Sequence, residues 1–171
     1  IALLALAGAL LHVWNHGIFK CALFFGAGSV GAAAGTRETD LLGGLQRRMP
    51  RTGTCFLLAA AAICGLPPLN GFVGEWLIYL ASYRGALSAS PSSLGLGGFG
   101  VIASLALIGG LAALCFAKVY GVAFLGEPRS PGAAAAREVP PGLWGPMAVL
   151  ATACLVLGLG GFLALRAAAP V

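Results

Sequence analysis

Long apolar runs, each about as long as a helix needs to cross a bilayer and separated by short polar segments, constrain this chain more than any single residue does. A hydrocarbon core about 30 Å thick is crossed by roughly 20 apolar residues in helical form. Of the 171 residues 59% are hydrophobic and 9% charged, and the mean hydropathy is +0.95; a soluble domain carries roughly 25% charge. Lipid is therefore the expected solvent. The expected fold class is all-α, a single polytopic transmembrane helix bundle of about four helices occupying residues 1–171. Unbroken apolar runs with little β-branching exclude a transmembrane barrel.

Spans are expected at about 2–35, 55–82, 99–125 and 143–165. The polar stretch GTRETDLLGGLQRRMPRTG reads as a loop with room for a short interfacial helix. Residues 85–98, rich in Ser and Gly, form the next connection, and residues 126–142 hold Pro128, Pro131, Pro140 and Pro141. The second span is interrupted by Gly65-Leu66-Pro67-Pro68-Leu69-Asn70-Gly71. Each half alone, about 18 Å long, is too short to cross, so the two make one broken span.

The net charge of +5 does not point to nucleic acid, because the basic residues cluster in one loop and not along an aromatic-bearing polar surface. The positive-inside rule instead uses them for orientation. Loops 36–53 and 126–142 hold Arg37, Arg47, Arg48, Arg51, Arg129 and Arg137, and the other side has Arg84 and Arg166. Both arginine-rich loops are therefore expected in the cytoplasm. Cys21, Cys55, Cys64, Cys115 and Cys154 lie in or beside apolar runs without a C-x-x-C spacing, which reads them as small hydrophobes. The chain begins at Ile1, inside an apolar stretch and without a basic leader or a cleavage site, so it reads as truncated and not as a signal peptide.

His12, His16 and Lys20 follow at i, i+4 and i+8. They fall within about 80° around a helix and span about 12 Å along it, one polar stripe on an apolar rod. A lysine near mid-membrane costs on the order of 3 kcal/mol to insert, and burial disfavours its charged form, so such a group can take and release a proton. Histidine titrates near neutrality unaided. The stripe suits a proton wire, with two other readings beside it: groups that only hydrogen-bond neighbouring helices, or His12 and His16 as ligands of a metal or haem, for which no third ligand lies nearby in sequence.

Glu75 follows the break in GFVGEWLIYL, the one charge between Arg51 and Arg84. A carboxylate at membrane depth is a candidate functional group by default. Pro67 and Pro68 have no N–H, so the carbonyls of Ile63 and Cys64 lose their helical partners, and broken backbone at this depth implies burial or a water-filled cavity. Asn70 stands where it can serve those freed groups, and Glu75 is expected to face a cavity and not lipid. Lys118, about 10 Å from the end of its span, either snorkels or takes part in proton transfer. Trp14, Trp76, Tyr79 and Tyr83 read as packing and interface anchors.

The run HVWNHGIFKCALFFGAGSV, then GTRETDLLGGLQRRMP, then GLPPLNGFVGEWLIYLAS resembles the antiporter-like subunits shared by proton-pumping NADH:quinone oxidoreductase, Mrp-type cation/proton antiporters and membrane-bound hydrogenases. The Glu-Trp form with a later lysine is most similar to the hydrogenase-4 type. The likeness is strong over residues 8–82, moderate over the third span and weak beyond it. It implies a C-terminal portion holding the last four helices of a fourteen-helix core. The proton-relay histidine and lysine would fall on His16 and Lys20, the carboxylate of the broken helix on Glu75, and the extra lysine of the hydrogenase type on Lys118. The family's other half-channel has no counterpart in this sequence, so the chain alone is not expected to pump. The function expected is proton translocation within a redox-driven complex, with sodium as an open second cation and other membrane subunits and the lipid bilayer as partners. No cofactor is expected in this chain, since it has no cysteine cluster and no nucleotide-binding glycine motif. A non-conducting structural anchor is the alternative from another class.

Overall fold

The computed structural model describes residues 1–88 and 93–168. Helix α1 (Ala2–Ala34) ends at Gly35, whose φ of 73° lets its N–H close on the Gly31 carbonyl at 3.0 Å. A 3₁₀ turn (Thr39–Leu41) and the short helix α2 (Leu45–Arg48) fill the basic loop. Then come α3 (Pro50–Ile63), α4 (Asn70–Ser88), α5 (Ser93–Phe124), the short α6 (Pro131–Ala135) and α7 (Pro141–Ala168). No strand occurs among the described residues. Among the described residues three helices, α1, α5 over Leu96–Phe124 and α7 over Pro141–Gly161, are each long and apolar enough to cross a membrane.

The chain breaks between α3 and α4 where Pro67 and Pro68 stand, joined by a cis peptide bond. Helix α3 does not stop abruptly. Its last turns tighten and widen in succession, with Cys64 N–H on Ala60 O, Gly65 N–H on Ala62 O and Leu66 N–H on Ala61 O, at 3.1–3.2 Å. Gly65, at φ +64°, reverses the backbone in the left-handed region that glycine enters freely. Helix α3 begins at Pro50, five residues before the span expected from hydropathy. Its first turn carries Arg51, Thr52 and Thr54, which mask the helix in a hydropathy reading, and Pro50 at N1 is preset for it.

Helix α1 packs on α3, α4 and α7, and α5 lies along the outer edge against α4 and α3. The α1–α4 seam is antiparallel, and it is close because glycine lines it: a Cβ on Gly8 would press on Leu77 and Ile78, and one on Gly74 would press on the backbone of His12. Helix α7 reaches the break in the same way. A Cβ on Gly158 would overlap the Pro68 carbonyl oxygen, and one on Gly161 would meet Val73. A small apolar core of Phe19, Ala62, Leu69 and Cys154 sits at this junction, with a larger one built around Leu45, Met49, Phe56, Phe124 and Met147.

The two arginine-rich loops meet at one end of the bundle. Gly44 N–H donates to Leu125 O at 2.9 Å, and Tyr120 donates its hydroxyl to Gln46 at 3.0 Å. The Glu138 carboxylate accepts from Arg51 N–H at 2.7 Å, Thr52 N–H at 3.3 Å and the Thr52 hydroxyl at 2.6 Å. A residue of the second loop thus caps the helix that follows the first, satisfying N–H groups that would otherwise lack partners. Arg51 also lies 4.9 Å over the Trp144 ring, and an exposed Arg47–Glu127 pair stands at 3.5 Å.

Candidate functional site

The stripe helix needs no special local device. From Ala2 to Ala34 the chain has no proline, and its alanines and leucines are strong helix formers. His12 and His16 follow one another along α1 with their rings tilted by 38° and their centroids 6.1 Å apart. Buried Phe19 sets its edge against both, 5.3 Å from His16 and 6.5 Å from His12. His12 is half-buried against Gly74, and His16 is exposed.

Lys20 lines a cavity of about 200 Å³ with Leu23, Phe24, Phe56 and Phe116. A second cavity, of about 260 Å³, lies between α3 and α5 and is lined by Ala61, Cys64, Leu66, Phe116 and Tyr120. Glu75 is half-buried, and its carboxylate folds back on Gly65 so closely that a Cβ there would overlap it. The acid thus rests on the left-handed turn of the break, next to Cys64 and Leu66. Phe72 and Trp76, stacked with centroids 5.8 Å apart, continue the same helix outside it. Lys118 lies exposed on α5 and lines neither cavity.

Asn70 does something other than serve the freed carbonyls. Its amide nitrogen donates to Asn15 Oδ1 at 3.1 Å, and Asn15 Nδ2 donates to the Asn70 backbone carbonyl at 2.9 Å. Both residues are buried, at 2% and 0% exposure, where the loss of either bond would strand a polar group. Asn15 is the residue of this site that sequence reasoning misses. The signal that marks it is an amide inside an apolar span, three residues after His12 and so on nearly the same face. Gly65 and Gly74 carry no signal of their own until their neighbours across the fold are known. Among the described residues no group of three or more His, Cys, Asp or Glu is arranged to hold a metal ion.

The class defined here is an integral membrane helix bundle in which the helix carrying His12, His16 and Lys20 packs against the helix that follows the break and carries Glu75. The chain belongs to the NADH:quinone oxidoreductase/Mrp antiporter transmembrane family, whose sequence profile matches residues 1–95. It is 39% identical over 160 residues to hydrogenase-4 component B of Escherichia coli (strain K12), covering 93% of this chain and 24% of the relative. It is 41% identical over 156 residues to formate hydrogenlyase subunit 3 of the same organism, covering 91% of this chain and 26% of the relative. The chain therefore spans about a quarter of the length of these curated relatives. The fold is also that of a chain in the Mrp complex from Dietzia sp. DQ12-45-1b, with a TM-score of 0.77 at 23% identity over 92% of this chain and 35% of that one.

Proposed function

We propose that this chain is part of a subunit that translocates protons within a redox-driven membrane complex of the hydrogenase or NADH:quinone oxidoreductase type. The observation that carries the reading is the packing of the His12, His16 and Lys20 helix beside the break on which Glu75 rests. Protons reach Lys20 along the histidines and leave by way of Glu75 and water at the break. The lysine, in its mostly apolar cavity, can bind and release a proton at low cost only if neighbouring groups take it up in turn. Histidines one helical turn apart, bridged by water, meet that need.

Pro67 and Pro68 keep the break open by denying two hydrogen bonds to α3, and Asn70 holds its far side. Lys118 serves as a further basic group on the face of α5. The arginine-rich loops face the cytoplasm of a bacterium, the bundle spans its inner membrane, and the partners are other membrane subunits of the complex. Redox chemistry belongs to those partners; this chain holds no cofactor and moves only charge.

The test is Glu75→Gln in the full-length subunit within its complex. The amide keeps size and polarity but has no exchangeable ionisation, so assembly is expected to persist while proton uptake into proteoliposomes falls by at least tenfold. Uptake at the wild-type rate would exclude Glu75 from the path.

A further inference from the structure

We propose that Asn15 and Asn70 form a positioning clasp that fixes the rotational register of the stripe helix against the break, and so presents the histidines to the carboxylate. This rests on the proton-transfer reading above and adds to it two residues that are themselves unable to carry a proton.

The Asn15–Asn70 pair is a polar contact in a seam where glycine otherwise lets α1 and α4 approach closely. Residue 8 lies against 77, residue 12 against 74 and residue 15 against 70, and glycine stands at two of these three levels. Smooth, small contacts let two helices approach closely but also let them slide or turn. A slip of one residue rotates a helical side chain by about 100° and would carry the whole stripe off the seam. A pair of buried amides resists this, because any other register leaves their donors and acceptors unpaired in an apolar medium. A single buried asparagine fixes coiled-coil register by the same logic.

The clasp grips the joint as well as the helix. Asn15 holds the backbone carbonyl of Asn70, the first residue of α4, and the next residue, Gly71, is pressed against the Ala62 carbonyl of α3. One turn from the clasp on each helix stand His12 and Gly74, and Glu75 follows directly. The pairing uses the amide nitrogen of Asn70 and leaves its Oδ1, together with His12 Nδ1, buried and without a hydrogen-bond partner among the described residues. Both atoms can accept a hydrogen bond from a proton-carrying water.

The test uses the full-length subunit in its complex, reconstituted in proteoliposomes, with assembly and redox turnover measured beside proton uptake. The pair is replaced by Asn15→Leu with Asn70→Leu, residues of similar size that fill the seam without the bonds. The expected result is retained assembly and turnover with at least a tenfold loss of proton uptake, no worse than in either single leucine variant, because the two act as a unit. Asn15→Asp, which keeps the oxygen that Asn70 Nδ2 donates to, is expected to retain an intermediate rate. Wild-type uptake from the leucine pair overturns the proposal; so does a loss that only tracks loss of assembled complex, with Asn15→Asp no better than Asn15→Leu. Lys20→Ala in the same preparation separates the two levels. If it stops uptake while the leucine pair pumps normally, the clasp alone fails; if it pumps normally, the proton-transfer reading fails and the clasp with it.

Discussion

The carboxylate of Glu75 rests on Gly65, ten residues back along the chain and on the far side of the break. Gly65 meets two demands at once: a left-handed backbone at φ +64° and room for the acid where a Cβ would sit. Gly65→Ala should therefore cost about 1–2 kcal/mol from the backbone alone and also displace the carboxylate. A lowered melting temperature of the purified complex, together with a several-fold drop in proton uptake, is the expected outcome. A loss of stability with uptake unchanged would separate the acid's position from its role.

Glu138 caps α3 from 86 and 87 residues away, accepting from Thr52 and Arg51. Removing a cap costs about 1 kcal/mol, and up to roughly 2 where several N–H groups depend on it. Glu138→Ala should lower the thermal midpoint measurably, and Glu138→Gln, which keeps one accepting oxygen, should lie between. Since Arg51 lies over Trp144 beside this cap, the tryptophan fluorescence of Glu138→Ala should change as the two loops separate.

The glycines of α7 are not equivalent. Gly158 abuts the Pro68 carbonyl, whereas a Cβ on Gly160 would meet open space. Gly158→Ala should force α7 away from the break at a cost of about 1–3 kcal/mol. Gly160→Ala should be neutral or slightly stabilising, since alanine favours the helix over glycine by up to about 1 kcal/mol. Midpoints of chemical or thermal unfolding for the two variants, compared side by side, check this contrast.

What the sequence makes legible is what one segment can signal by itself. Apolar length predicts a helical membrane bundle, and Pro67 with Pro68 predicts the break in its second span. The motif around His12, His16 and Lys20, followed by the Gly-Leu-Pro-Pro-Leu-Asn-Gly run, suffices to suggest the family. The contacts that hold these parts in register are of another kind. Asn15 and Asn70 are separated by 55 positions, and Glu138 and Arg51 by 87. Each is an ordinary polar residue until the fold brings its partner within hydrogen-bond reach, as Asn15 and Asn70 show at 2.9 Å. Local reasoning about the break makes Asn70 the expected partner of the freed Ile63 and Cys64 carbonyls, but its amide donates to Asn15, a pairing that such reasoning does not contain. Pro50 opens α3 inside what hydropathy marks as loop, because polar Thr52 is buried and held by Glu138.

Lys20→Arg, measured in the full-length subunit within its complex, tests the central claim most directly. Guanidinium keeps the positive charge and much of the length of lysine but does not give up its proton at any pH a protein meets. A lysine that acts as a relay must change its protonation during the cycle; one that merely fixes a charge need not. Proteoliposomes carrying a pH-sensitive dye should show normal assembly and redox turnover in Lys20→Arg, with proton uptake reduced at least tenfold and as severely as in Lys20→Ala. Wild-type proton uptake from Lys20→Arg would show that Lys20 is a fixed charge and would contradict the relay.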